Sequence, residues 1–157
     1  MTTAPTEGDT APNFNLPTDG DGTFALSDAS GKTVVLYFYP RDDTSGCTKE
    51  AIGFSEAIGE FSAANAVVVG VSADSVKSHD KFKNKHDLKV ILASDEEHTM
   101  LEDYGVWVEK SMYGKKYMGI ERATFVIAGD GKISKVWRKV KVPGHVDDVL
   151  AHTKTLS

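Results

Sequence analysis

Cys47 is the only cysteine in this 157-residue sequence, and it directly follows the polar turn RDDTSG, where the apolar run TVVLYFY (33–39) gives way to a segment with helical spacing. A sulfur at such a junction lies in the first turn of a helix. Unpaired N–H groups and the positive end of the helix dipole there stabilise S⁻, and the thiolate is the nucleophilic form of cysteine. Most free cysteines are small buried hydrophobes, but a packing cysteine would sit inside the apolar run. Thr44, Ser45 and Gly46 instead favour capping and open backbone, so the position points to reactivity.

A single thiol also excludes chemistry. It leaves no internal disulfide, zinc ribbon, iron–sulfur cluster or CxxC pair. The five histidines, His79, His86, His98, His145 and His152, form no close ligand motif and read as solvated surface residues. Asp19 and Asp21 lack the twelve-residue loop and terminal Glu of a calcium site. No Gly-rich loop has nucleotide-binding form. The expectation is an activity that uses neither metal nor organic cofactor.

The elements that must position Cys47 follow from pattern. NFNLPTDGDGTFALSD reads as a hairpin, with Asp-Gly turns between Phe14, Leu16, Phe24 and Leu26. Thr33 to Tyr39 is a strand covered on both faces. In SGCTKEAIGFSEAIGEF, residues Ala51, Phe54, Ile58 and Phe61 recur at helical spacing and predict one amphipathic helix. A buried strand over 66–74, a charged helix from Ser75 to about His86 and a third strand around Lys89 to Ala93 come next. ATFVIAGDGKISKVW reads as two strands about Gly129-Asp130-Gly131, and PGHVDDVLAHTKTL as a closing helix with Pro143 near its start. This order predicts an α/β thioredoxin-like fold with an N-terminal β-hairpin extension and a mixed central sheet flanked by helices. Residues 1–157 read as one domain, with about 1–10 a flexible N-terminus.

A net charge of −5 and pI near 5.5 disfavour nucleic acid and anionic membranes as partners. The cluster Lys110, Lys115 and Lys116 with Tyr113 and Tyr117 reads as a loop rather than a nucleic-acid patch. No leader or membrane segment is visible, and one thiol suits a reducing cytoplasm.

YFYPRDDTSGCTKEAIGF resembles the active-site segment of the peroxiredoxins, whose signature of Pro, three residues, Thr, two residues and Cys is met by Pro40, Thr44 and Cys47. The flanking YFYP and CTKE, with VWVEKSMYGKKYMGIERATFVI and VWRKVKVPGHVDDVL, narrow the resemblance to the peroxiredoxin Q group, also called bacterioferritin comigratory proteins. The resemblance implies that Cys47 attacks hydroperoxides and becomes a sulfenic acid. It carries over Arg122 as the arginine of the site, where a rigid guanidinium holds the thiolate and both peroxide oxygens. Thr44 supplies a hydroxyl to the peroxide and the sulfur. Pro40 shields the pocket without a competing N–H. Glu50 is a secondary member that ties down the loop or the arginine, and Trp137 reads as core.

Relatives place a resolving cysteine where this sequence has Ile52 or Lys83. The implied cycle is therefore of the one-cysteine type, closed by an external thiol: thioredoxin, or glutathione with glutaredoxin. A cytoplasmic monomer is expected. The competing reading is a redox sensor or thioredoxin-like binding module that uses Cys47 without rapid turnover.

Overall fold

The structure is a computed structural model that describes residues 4–156. In chain order it contains β1 (Asn15–Thr18), β2 (Gly22–Ala25), β3 (Thr33–Phe38), α1 (Ser45–Glu56), α2 (Ile58–Ala63), β4 (Ala66–Ser72), α3 (Val76–His86), β5 (Ile91–Ser94), α4 (Thr99–Asp103), β6 (Trp107–Met112), β7 (Lys115–Ile120), β8 (Ala123–Ile127), β9 (Ile133–Trp137) and α5 (His145–Lys154). A seven-stranded sheet runs in the order β2-β1-β5-β4-β3-β8-β9. The pairs β3–β4 and β4–β5 are parallel, and the others are antiparallel. This is the expected mixed α/β sheet.

The run 33–39 becomes the central strand because both of its faces find cover. Val34, Leu36 and Phe38 enter one core with Phe14, Tyr104 and Phe125. Val35, Tyr37 and Tyr39 enter the other, with Phe54 of α1, Phe61 of α2, Phe82 of α3 and Val149 of α5. The alternation is the period of two of a strand, and each large buried side chain stabilises the fold by roughly 1.5–3 kcal/mol. On neighbouring β4, a Cβ at Gly70 would lie 2.6 Å from the Tyr37 ring, so only glycine leaves room for that tyrosine.

Three expectations are corrected. The segment after Cys47 is two helices, α1 and α2, broken at Ala57 (φ −93°, ψ 3°) between Gly53 and Gly59, both weak helix formers. The stretch around Lys110, Lys115 and Lys116 is a two-stranded sheet, β6–β7, closed by Tyr113 and Gly114 at φ 53° and 79°, the positive values that a tight hairpin turn requires. Most of its side chains are exposed, so no apolar alternation marked it. The histidines are not uniformly solvated: His79 is 0 % and His145 4 % exposed.

The expected flexible start falls partly on residues 1–3, outside the described residues. From Gly8 onward the backbone is bonded to the β8–β9 turn, through Gly8 N–H to Ile133 O and Ala11 N–H to Gly131 O, each 2.9 Å.

Candidate active site

Pro40 lacks an N–H and follows the last residues of the strand, so the chain leaves the sheet there and turns through residues 40–44. Asp43 takes φ 59°, a left-handed conformation that Asp tolerates better than most residues. Ser45 then opens α1, which places Cys47 in its first turn. The thiol is 1 % exposed and belongs to the core that contains Tyr37, Tyr39 and Phe54.

Arg122 reaches the sulfur from the residue immediately before β8, the antiparallel neighbour of β3. Its Nη2 donates to Cys47 Sγ at 3.2 Å, and its Nη1 to Glu50 Oε1 at 2.6 Å. A Cβ at Gly46 would stand 3.3 Å from Nη2, so a glycine there leaves space for the guanidinium. Burial works against the charge on Arg122, but Glu50 and the Cys47 sulfur outweigh it and raise its pKa.

Glu50 is fully buried on the turn that follows Cys47. Burial pushes its carboxyl up to about 7, against the opposing pull of Arg122. Among the described residues only Oε1 is bonded, and Oε2 has no partner. A proton on Oε2 therefore leaves the bond to Arg122 in place.

Thr44 occupies the N-cap position of α1, but its hydroxyl makes no capping bond. It donates to Arg41 O at 3.0 Å, which leaves its lone pairs to accept. Pro40 is exposed and lines a cleft of about 410 Å³ with Arg41, Trp107, Lys110, Met118 and Ile120. A cleft of about 450 Å³ beside Phe14, Asp95 and Met100 contains none of these residues.

The structure thus joins Cys47, Arg122 and Glu50 by direct contact, and sets Thr44 and Pro40 on the loop that delivers the cysteine. Of three further residues near the loop, Lys110 read from sequence as a loop lysine, His79 as a surface histidine, and Asp42 was not singled out. Lys110 lies close enough for the charges of Arg122 and Cys47 to act on it, although burial is the larger cause that lowers its pKa. Asp42 and His79 form a buried ion pair, Oδ2 to Nδ1, at 2.7 Å. No local motif marks these residues, because the elements that bring them together are far apart in the chain.

Ile52 is half-buried against the core, and Lys83 pairs with Asp19 Oδ2 at 2.7 Å. Among the described residues, no group of three or more His, Cys, Asp or Glu side chains could hold a metal ion. No helix among them is long and apolar enough to cross a membrane.

Comparisons with known proteins agree with this architecture. The AhpC/TSA family profile matches residues 7–136. A Coxiella burnetii protein named as a bcp-type peroxiredoxin is 54 % identical over 143 residues, covering 91 % of this chain and 95 % of its own. Peroxiredoxin Bcp of Bacillus subtilis is 48 % identical over 150 residues, 96 % of each chain. A solved structure of the Xanthomonas campestris bacterioferritin comigratory protein, studied for its alkyl peroxide reduction activity, superposes with a TM-score of 0.88 at 40 % identity, over 99 % of this chain and 98 % of that one. With one cysteine and no second thiol to resolve it, the chain belongs to the AhpC/TSA family as a one-cysteine peroxiredoxin, a thiol-dependent peroxidase.

Proposed function

We propose that this enzyme reduces hydrogen peroxide and organic hydroperoxides with Cys47 as the nucleophile, and that an external thiol, thioredoxin or glutathione with glutaredoxin, recycles it. The observation that carries this reading is the 3.2 Å contact from Arg122 Nη2 to Cys47 Sγ, made by a guanidinium whose other arm is fixed by Glu50. The Cys47 thiolate attacks the terminal oxygen of ROOH; an S–O bond forms, the O–O bond breaks, and the departing RO⁻ takes a proton from the site to leave ROH and a Cys47 sulfenic acid. Arg122 and the N–H groups of the first turn of α1 stabilise the departing oxygen. Thr44, whose hydroxyl hydrogen is engaged by Arg41 O, accepts from the terminal O–H of the peroxide. Pro40 borders the entrance, and Glu50 positions Arg122.

The first external thiol displaces water from the sulfenic acid to give a mixed disulfide. A second thiol releases Cys47 and leaves as a disulfide, so the cycle balances without a resolving cysteine. We place this cycle in a single-domain monomer in the cytoplasm. Activity on organic hydroperoxides is supported by what the Xanthomonas campestris protein does.

The test is steady-state turnover with several peroxides and reductants, together with intact-mass spectrometry. Wild type should turn over repeatedly only when a thiol is supplied, and one equivalent of peroxide should add one oxygen. Cys47→Ser should keep the fold and lose all turnover, since a hydroxyl of nearly the same size does not ionise near neutral pH. Persistent turnover in that variant overturns the assignment, and a single oxidation without turnover in wild type favours the sensor reading.

A further inference from the structure

The loop 40–44 is exposed except at one residue, Asp42. Its carboxylate is 4 % exposed and takes three side-chain contacts: Tyr39 Oη to Oδ1 at 2.6 Å, Ser78 Oγ to Oδ2 at 2.8 Å and His79 Nδ1 to Oδ2 at 2.7 Å. Its own N–H donates to Asp74 Oδ2 at 2.8 Å. His79 is fully buried, and its other ring nitrogen, Nε2, faces the Ala93 carbonyl at 3.0 Å. A carbonyl only accepts, so Nε2 bears a hydrogen. An ionised carboxylate likewise only accepts, so against the Asp42 carboxylate Nδ1 bears one too. The ring is an imidazolium, held by two acceptors on opposite sides.

We propose that His79 is a positioning residue for peroxide reduction: as a buried imidazolium it holds Asp42, and through Asp42 the loop that sets Cys47 and Thr44 opposite Arg122. This rests on the site reading given above. A buried ion pair costs desolvation and is a poor way to gain stability. This one attaches to the single buried residue of the active-site loop rather than to the centre of a core. The helix that carries His79 is itself anchored at its far side, where Lys83 pairs with Asp19 at 2.7 Å and Asp80 accepts from Gly20 N–H at 2.8 Å. The position where relatives place a second cysteine thus serves here to fix α3. Cys47 follows the loop in α1 whereas Arg122 precedes β8, and a displacement of about 1 Å between reacting groups can cost about 100-fold in rate.

Every element around the ring contributes to its charge state. Burial alone would lower the pKa of His79, but the hydrogen bond and charge of Asp42 from the loop, the Ala93 carbonyl from β5 and the charge of Asp74 after β4 together raise it. The Tyr39 hydroxyl also meets the ring, 3.4 Å from Nδ1, and is held neutral by a pKa well above its ordinary value. With the folded value raised, the ion pair is intact below the ordinary histidine range and is lost as pH rises through the raised value. The loop therefore loosens on the alkaline side.

The experiment compares two reactions of Cys47 in stopped flow: oxidation by hydrogen peroxide, which needs the assembled site, and alkylation by iodoacetamide, which needs only the thiolate. His79→Gln should slow oxidation about tenfold or more while alkylation stays within about threefold. The double variant His79→Gln/Asp42→Asn should be no slower than His79→Gln, as two members of one pair behave. In wild type the ratio of the two rates should fall at alkaline pH, and His79→Gln should lack that limb. If His79→Gln does not fold, ¹⁵N NMR of the wild-type ring at neutral pH decides, since both nitrogens must be protonated. A singly protonated ring, an unchanged oxidation rate in folded His79→Gln, or equal slowing of both reactions overturns the proposal. Arg122→Lys run in parallel separates the causes: if it keeps the wild-type oxidation rate, the site reading itself has failed, whereas its loss beside a normal His79→Gln refutes only the role of His79.

Discussion

Two buried ion pairs meet the segment that carries Cys47, and they are built in opposite ways. Glu50–Arg122 leaves one carboxylate oxygen without a partner among the described residues, and its acid is pushed up to about 7. Asp42–His79 has a partner for both carboxylate oxygens and both ring nitrogens, and its base is raised instead. The first touches the sulfur through Arg122, and burial raises its acid toward neutral pH. The second touches no reacting atom, and its histidine holds a proton more tightly than an ordinary one. Burial is shared by the two; saturation of the hydrogen-bonding groups distinguishes a pair that can respond to the reaction from one that fixes a backbone.

The largest break in this comparison is Arg122→Lys. A lysine ammonium can reach either the sulfur or Glu50, but it lacks the planar set of donors that spans both at 3.2 and 2.6 Å. Peroxide oxidation of Cys47 should fall by about 100-fold, in the range seen when a positioned donor to a developing charge is removed. A loss under about threefold, measured by stopped flow, would move the guanidinium out of the transition state.

The next effect is on stability. The folded value of Glu50, about 7, lies above its ordinary 4.5. The native state therefore binds the proton more tightly than the unfolded chain, and stability falls as pH rises from the lower value through the higher. Glu50→Gln removes that decline, by an amount on the order of a few kcal/mol. Guanidinium denaturation should show variant and wild type most alike below the ordinary value of 4.5, with the variant gaining on wild type by about pH 8. A pH-independent difference would mean that Glu50 does not titrate in this range. The variant should also lose less oxidation rate than Arg122→Lys, because the glutamine amide oxygen still accepts from Nη1.

His145 sharpens the comparison as a buried histidine without an ion-pair partner among the described residues. Burial pulls it down to about 4, with Thr124 Oγ1 2.8 Å from Nε2. Its depressed value gives stability that is present above the ordinary histidine range and is lost as pH falls toward about 4. His145→Gln should flatten that acid limb in thermal melts while leaving the alkaline behaviour of the Cys47 ratio intact. The same residue type thus loses its hold in acid at one site and in base at the other.

Much of this was legible in sequence, and for local reasons. The run 33–39, the turn and Cys47 are contiguous, so period, breaker and cap signals combined to place the sulfur at a helix start. Glu50 and Arg122 were reached through the family resemblance, and their contact with each other and with Cys47 depends on β8 pairing with β3, which periodicity does not encode. His79 read as surface because α3 is strongly charged along its length, and its burial arises from loop residues far away in the chain. The β6–β7 hairpin was missed because its side chains face water on most positions, and a strand without a buried face has no alternation to show.

The smallest expected effect separates the inner pair from the outer one beside it. Asp43 follows Asp42 and also holds α3, through Lys85 at 2.7 Å and His86 at 2.8 Å, and its hydrogen bond to Lys85, then that to His86, lowers its pKa. Asp43 and Lys85 are solvent-exposed and His86 partly so, so their attraction is screened by salt and offset by the ordering of long side chains. Asparagine is the clean substitution, because it tolerates the left-handed conformation at φ 59° that alanine would resist. Asp43→Asn should leave peroxide oxidation of Cys47 within about twofold of wild type, at low and high salt alike. His79→Gln in the same buffers should show its full deficit. If Asp43→Asn instead matched His79→Gln, and salt reproduced the loss in wild type, the loop would be held by the exposed charges, and the buried imidazolium would be a packing element of α3.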